Sequence, residues 1–262
     1  MKNSIKLAGY INAVLVYLIL FYSPSLFAET FTETFDVDLG AQLTVKTDAG
    51  SIKIETHDEA TINLRVKIKN RGGDEFSYHH KLSNGNLTII GEIKRKTKSV
   101  RNLKVEFYLL IPENYNVELN TSGGSLSIED LIGKLDARTS GGSINVGNIV
   151  GDVQLHTSGG SINTDTITGD LDAHTSGGSI KVTINKQLIE NAKLTTSGGS
   201  ITAYIIPNIK LDINASTSGG RVKSDFKIDG KVNKRSVRGT INGGGPKLTL
   251  KTSGGSIKIK EI

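Results

Sequence analysis

The sequence contains no cysteine and no tryptophan, and only one methionine and four prolines among its 262 residues. The absence of cysteine excludes disulfide bonds and a lipid-anchored lipoprotein, so the fold must be stabilised by packing alone. No segment beyond the N-terminus shows a sustained apolar period of 3.6 residues, which argues against helices. The chain does contain 30 glycines, regularly placed, together with abundant Val, Ile, Leu and Thr, a composition typical of β-strands.

The first 28 residues have the features of a secretory signal peptide. Lys2 and Lys6 precede the apolar stretch Ala13–Tyr22, and Ser25–Ala28 offers a cleavage site. An uncleaved anchor over Leu7–Ala28 is the alternative. Cleavage would leave a mature chain of net charge +4 with no transmembrane domain. We therefore expect an exported protein, either periplasmic or at the cell surface and extracellular. The periplasm is favoured because the C-terminal end shows no membrane-barrel or sorting segment.

A repeated hexapeptide, Thr-Ser-Gly-Gly-Ser-Ile, dominates the second half of the chain. Its copies begin at intervals of 18, 18, 18, 21, 21 and 35 residues, at Thr121, Thr139, Thr157, Thr175, Thr196, Thr217 and Thr252. The last interval suggests a hidden degenerate copy at Ser236–Ile241, and an isolated early copy occupies Thr47–Ile52. Repetition at a fixed period of this length predicts a stacked repeat architecture.

Apolar residues alternate with polar ones on both sides of each motif, which predicts strands with one buried face. Hairpins would make neighbouring repeats antiparallel, whereas a solenoid stacks like residues on like, as the constant phase requires. We therefore predict an all-β fold: a single-stranded parallel β-helix or solenoid with coils of roughly 18–21 residues over residues 117–262. Residues 29–116 are less periodic and are expected to form irregular β coils or a small capping sheet. Long alternating strands are predicted at Thr61–Ile68 and Asn102–Phe107, and a turn at Asn84–Gly85.

Two turns are expected in each coil. A short block with a single glycine forms one of them, at Leu131–Leu135, Ile149–Val153, Ile167–Leu171 and Ile228–Val232. The Gly-Gly pair forms the other, and we expect it to use positive φ. These structural glycines are Gly123, Gly124, Gly141, Gly142, Gly159, Gly160, Gly177, Gly178, Gly198, Gly199, Gly219, Gly220, Gly254 and Gly255. The motif threonine is in phase with the inward residues, so its hydroxyl should stack internally and satisfy backbone groups of the corner.

The last copy runs from Thr252 to the final residue, Ile262, without a following cap. We expect it to form an open sheet edge that Lys258, Lys260 and Glu261 keep monomeric, because charge on an edge strand is the usual protection against pairing.

The signal segment, the irregular first part, the Tyr108–Pro112 strand end and the Gly-turn repeats together resemble the uncharacterised bacterial "putative adhesin" family, a domain of unknown function. The resemblance covers roughly Phe31 to Ile262. It implies a β-solenoid and little about activity.

Candidate chemistry is sparse. Gly72–Phe76 spells the signature pentapeptide of diguanylate cyclases, but that family is cytosolic and mixed α/β, so the match lacks its context. The position beside the repeated glycines is serine rather than aspartate, which disfavours a calcium ladder. His156 and His174 fall at the same phase and could approach one metal ion, although a solvated surface ladder is the favoured interpretation. Hydroxyls repeated seven times are structural rather than nucleophilic. We predict no catalytic residue, no metal and no cofactor.

Basic residues are unevenly spread. The run Lys94–Lys104 holds six basic residues and no acid, and Arg221–Lys251 holds nine against two acids. Lys231, Lys234, Arg235 and Arg238 form a candidate patch for an anionic ligand. The expected function is an exported, non-catalytic binding or scaffolding module of the envelope, with an anionic glycan or an envelope protein as partner and no nucleic acid. The alternative is an envelope enzyme acting on anionic polysaccharide, with a cleft between insertions at Asn185–Asn191 and Lys231–Arg238.

Overall fold

The computed structural model describes residues 28–69, 76–94 and 103–262, which form 26 β-strands and no helix. Within these residues there is consequently no helix of the length and apolarity needed to span a membrane. Several predictions lie outside the described residues: the signal segment up to residue 27, positions 72–75 of the pentapeptide, and positions 95–102 of the first basic run.

The strands, numbered in chain order, form three sheets. Sheet A has eleven strands, in the spatial order β1 (Ala28–Asp36), β4 (Thr61–Lys69), β7 (Lys104–Pro112), β3 (Ser51–His57), β9 (Leu126–Ile128), β12 (Ile144–Val146), β15 (Ile162–Thr164), β18 (Ile180–Ile184), β20 (Ile201–Ile205), β26 (Ile257–Glu261) and β22 (Val222–Ser224).

Sheet B has twelve strands, in the spatial order β23 (Asp229–Val232), β24 (Ser236–Ile241), β21 (Leu211–Thr217), β25 (Lys247–Thr252), β19 (Ala192–Thr196), β17 (Leu171–Thr175), β14 (Val153–Thr157), β11 (Leu135–Thr139), β8 (Asn116–Thr121), β2 (Gln42–Thr47), β6 (Asn86–Ile93) and β5 (Phe76–Ser83). Sheet C is small and contains β10 (Leu131–Ile132), β13 (Ile149–Val150) and β16 (Ile167–Thr168).

Parallel stacking of like residues is confirmed in the repeat region. Leu135 pairs with Val117 on one side and Val153 on the other, and Val153 pairs with Leu171. All four side chains are buried, and every second residue along these strands points into a core of Leu, Ile, Val and Ala. A one-residue slip would turn that whole set toward water, so the alternation fixes the register.

The early motif copy belongs to the same stack. Strands β2 and β3, which flank Thr47–Ile52, pair in parallel with β8 and β9 of the first regular repeat. Beyond them, β7 pairs in parallel with β3, and β4 and β1 then extend sheet A with antiparallel pairings. In sheet B, β6 pairs in parallel with β2 and forms an antiparallel hairpin with β5. The predicted turn joins β5 to β6, and both Asn84 (φ 50°) and Gly85 (φ 73°) lie in the left-handed region that this tight turn requires.

The degenerate copy at Ser236–Ile241 was expected to form a coil, and this prediction is wrong. It forms β24, which runs antiparallel to β21 and to β23. The block Ile228–Val232 was expected to form a single-glycine turn of a coil, but its residues 229–232 form β23, which pairs antiparallel with β24. Residues 229–241 therefore form an antiparallel hairpin, the β23–β24 hairpin, which supplies the last two strands at one end of sheet B.

The prediction of an open edge at the final copy is also wrong. Strand β25 lies between β19 and β21, and β26 lies between β20 and β22, so both strands of the last copy are paired on both sides. The last copy in the sequence is thus not the last in space. The edge strands at this end are β22 in sheet A and β23 in sheet B.

Candidate functional site

The Gly-Gly corners are sites of close backbone approach rather than of positive φ. Of the fourteen motif glycines, Gly124 alone has a φ in the left-handed region, at 135°. The second glycine of each pair instead faces the carbonyl of the preceding corner: a Cβ added at Gly160 would lie 2.0 Å from the carbonyl oxygen of Gly142. The first glycine has more room: a Cβ at Gly159 would meet its nearest atom at 3.5 Å, although this distance falls to 2.8 Å at Gly219. The expectation of positive φ is therefore corrected for these corners.

The motif threonines form the internal ladder that the sequence predicts. Thr157 is fully buried, and its Oγ1 donates a hydrogen bond of 2.8 Å to the carbonyl oxygen of Gly142 in the preceding repeat. The same hydroxyl oxygen accepts a bond of 3.3 Å from the N–H of Gly160. Equivalent carbonyl contacts are made by Thr121, Thr139, Thr175, Thr196, Thr217 and Thr252. These hydroxyls thus join the corners of successive repeats.

The four predicted basic residues are all exposed on the β23–β24 hairpin. Lys231 and Arg238 lie directly opposite each other in its two strands, and Lys234 and Arg235 occupy its turn. None of the four takes part in an ion pair with any residue of the described ranges. The hairpin therefore presents concentrated positive charge to solvent.

The two insertions that were expected to form a cleft lie at opposite ends of β21. Gln187 exchanges hydrogen bonds of 2.9 and 2.8 Å with the backbone of Lys210, just before that strand. The carbonyl of Arg235 accepts a hydrogen bond of 2.9 Å from the N–H of Thr217, the last residue of the strand. A seven-residue strand spans roughly 20 Å, so these insertions do not share a cleft.

His156 and His174 are paired in register on the outer face of sheet B. Their rings stack with centroids 5.0 Å apart, and Nδ1 of His174 lies 2.9 Å from Oγ1 of Thr195. Partial burial lowers the pKa of His156, and the nearby positive charges of His174 and Arg138 lower it further. No cluster of three or more candidate metal ligands occurs among the residues the structure describes.

A second set of cations was missed by the sequence analysis. On the outer face of sheet A, the lysines at 181, 223, 258 and 260 lie on the same surface as Tyr204, and Lys181 and Lys260 are close to its ring. Lys223 belongs to the basic run Arg221–Lys251, and Lys258 and Lys260 lie in the final strand, but the four lysines come from three separate repeats, so the sequence does not show that they lie together. Their shared phase was the available signal, since Lys181, Lys223 and Lys258 each immediately follow the sixth and last residue of a motif.

The sequence profile of the Toastrack DUF4097 family matches residues 116–260, more than half of the chain. No curated protein matches.

Among solved structures, a "putative cell adhesion protein" of Clostridium sporogenes is 13% identical with a TM-score of 0.44, and the alignment covers 89% of this chain and 100% of that one. A "putative adhesin" of Bacteroides fragilis is 13% identical with a TM-score of 0.37, covering 89% and 97%. A "putative lipid binding protein" of Parabacteroides distasonis is 15% identical with a TM-score of 0.29, covering 89% and 96%.

Proposed function

The chain belongs to the Toastrack DUF4097 family, and from that premise we propose that it is an exported, non-catalytic binding module of the bacterial envelope that takes an anionic polymer as ligand. The leader with Lys2, Lys6 and the apolar stretch Ala13–Tyr22 supports export, to the periplasm or the cell surface.

The basic hairpin is the observation that carries the proposal. Like charges directly opposite each other in a sheet are destabilising, so Lys231 facing Arg238 is not explained by the needs of folding. Lys234 and Arg235 add two charges at the adjoining turn, again without an acidic partner in the described part of the chain. A surface of this kind attracts and retains anionic polymers.

The finer description of the fold is part of the same proposal. It consists of a leader over residues 1–28, a capping region over 29–116 and a single-stranded parallel β-solenoid over 117–262. Its coils of roughly 18–21 residues are interrupted by the antiparallel β23–β24 hairpin, and the last copy is inserted between two earlier ones. Pairings such as Leu135 with Val153 and Leu171 with Ala192 support these coil lengths. The binding surface would then be a rigid platform, since stacked strands hold their outward side chains at a fixed spacing.

Binding to a polysaccharide panel by the mature chain tests the proposal. We expect saturable binding to polygalacturonate and none to neutral dextran, with an affinity that falls at least about tenfold between low and physiological salt. Release of shortened chains from polygalacturonate would instead favour an enzyme. Salt-independent binding, or binding to no anionic polymer, would contradict the proposal.

A pair of charge-matched variants locates the site. Lys234→Glu with Arg235→Glu reverses the turn of the hairpin, and Lys134→Glu with Lys186→Glu makes the same change in net charge at exposed positions elsewhere. We expect the first variant to lose most of the affinity and the second to keep it. Equal loss in both would show that net charge, and not the hairpin, determines binding.

A further inference from the structure

Tyr204 lies half-buried on the outer face of sheet A, between lysines from the two neighbouring strands. Nζ of Lys181 is 5.2 Å from the centroid of its ring, and Nζ of Lys260 is 5.9 Å from it. Cation–π attraction at these distances holds ammonium groups beside the aromatic ring. The tyrosine therefore keeps two positive charges at this part of the surface.

Two further lysines extend this positive surface toward the sheet edge. Lys258 lies directly opposite Lys223 in the paired strands β26 and β22, and Lys181 follows in the same row beyond Thr202. Adjacent strands are about 4.8 Å apart, so this row of lysines crosses four strands in about 15 Å. Within the described residues none of the four lysines forms an ion pair. Acids lie at the margins of the row. Asp165 lines a surface groove with Lys181. The N–H of Asp225 donates a hydrogen bond of 2.9 Å to the carbonyl of Ile259, between Lys258 and Lys260.

This row is continuous with the basic hairpin on the other sheet. The N–H of Val222, the residue before Lys223, donates a hydrogen bond of 2.9 Å to the carbonyl of Lys234. The N–H of Thr217 donates one of 2.9 Å to the carbonyl of Arg235. The turn of the hairpin thus crosses the corner between sheets B and A, and the two groups of cations meet there.

Neutral hydroxyl groups lie among these cations. Thr202 sits between Lys181 and Lys258 in the row, and Tyr204 stands beside it on the same strand. In the described part of the chain, neither hydroxyl has a hydrogen-bond partner. A row of cations with neutral hydroxyls among them suits an extended polymer that carries both acidic groups and hydroxyls.

We propose that this sheet A surface (Lys181, Thr202, Tyr204, Lys223, Lys258 and Lys260) binds an acidic polysaccharide. The lysines contact its carboxylates, and the hydroxyls of Thr202 and Tyr204 form hydrogen bonds with its sugar hydroxyls. The inference rests on the proposed function and names its ligand class, since a polyanion without sugar hydroxyls would leave the two neutral groups unused.

The test measures binding of the mature chain to polygalacturonate and to polyphosphate. Lys223→Glu with Lys258→Glu should weaken both by about tenfold or more, while the charge-matched Lys134→Glu, Lys186→Glu variant changes neither by more than about twofold. Tyr204→Phe keeps the ring and removes one hydrogen bond, so polygalacturonate binding should fall by about 2–10-fold and polyphosphate binding should not change. Melting temperatures verify folding, and Lys223→Gln with Lys258→Gln replaces the glutamate variant if that variant unfolds.

Each outcome separates the inference from the proposed function. If the sheet A variants bind like the wild type while the hairpin variant loses affinity, the sheet A site is wrong and the proposed function stands. If Tyr204→Phe affects both polymers equally, or neither, the ligand class is wrong. If the wild-type chain binds neither polymer, the proposed function itself fails.

Discussion

Alanine at Gly160 and alanine at Gly159, introduced separately, compare two neighbouring glycines of one corner that differ only in the space around them. A Cβ at Gly160 would lie 2.0 Å from the carbonyl oxygen of Gly142, 2.3 Å from its carbonyl carbon and 2.5 Å from the nitrogen of Ser143. All three are backbone atoms, so no side chain can turn away to relieve the clash. At Gly159 the nearest atoms lie at 3.5, 3.6 and 3.9 Å, which is ordinary contact.

Relief at Gly160 requires the two corners to separate by about 1 Å, and this separation disrupts the contacts that join them. Overpacking of a tight site costs about 1–3 kcal/mol. The hydrogen bond from Thr157 to the carbonyl of Gly142 would stretch from 2.8 Å, and that from Ser161 to the hydroxyl of Ser143 from 3.2 Å. Each weakened bond costs about 0.5–1.5 kcal/mol. We expect Gly160→Ala to lower the free energy of unfolding by about 3 kcal/mol.

Thermal unfolding followed by circular dichroism provides the measurement. For a chain of this size about 3 kcal/mol corresponds to a fall of about 6–12 °C in Tm. Gly159→Ala should stay within about 2 °C of the wild type. Both variants restrict the unfolded chain equally, so the difference between them reports on the folded corner alone. Equal melting temperatures, or a larger loss at Gly159, would refute the close-approach explanation.

Three further perturbations follow from the geometry. Thr157→Val keeps the shape but leaves a buried carbonyl without its donor, so denaturant titration should show a loss of about 1–3 kcal/mol, whereas Thr183→Val on the outer surface should change little. Burial and nearby positive charge lower the pKa of His156 in the folded state below its unfolded value of about 6.5. The unfolded chain therefore binds the proton more readily, and the stability should fall as the pH drops through that value. If the Tm of His156→Gln fell between pH 7 and pH 5 as much as that of the wild type, this explanation would be wrong. Deleting residues 247–262 removes two strands that are paired on both sides and should expose the edges of four neighbouring strands. Light scattering should then detect association of the truncated chain. A stable monomer with unchanged hydrogen-exchange protection would show that the fold does not need this segment.

The phase of the repeats predicted much of the fold. Constant spacing of Thr139, Thr157 and Thr175 implied parallel stacking in register, and the pairings of β11, β14 and β17 confirm it. The buried threonine ladder followed from the same phase, because a polar residue in the inward row needs a hydrogen-bond partner. These predictions succeed because each depends only on neighbours one repeat away.

The sequence could not show why each motif needs two glycines. A left-handed φ and a close backbone contact both exclude a Cβ, so both explain an invariant Gly-Gly pair equally well. Only the distance between stacked corners separates them, as Gly142 and Gly160 show. The sheet A cations were missed for a related reason, since Lys181 and Lys258 are neighbours only through an order of stacking that the sequence does not state.

That order is where sequence reasoning failed most clearly, and the physical cause is the likeness of the repeats. Strand β25 points Leu248 and Leu250 into the core, as the corresponding strands of the other repeats point their apolar residues. Its sequence pattern therefore fits beside any repeat and does not identify the strands with which it pairs. The interval of 35 residues was the one irregularity, and a degenerate coil was the simplest way to fill it. Gly239 of that copy is not a turn glycine of a coil. It lies opposite Gly230 in the hairpin, where the two antiparallel backbones approach closely. Strand β24 of the hairpin pairs with one edge of β21, so strand β25 of the last repeat pairs with the other edge, between β21 and β19. The order of the strands in the sheet therefore differs from their order in the chain.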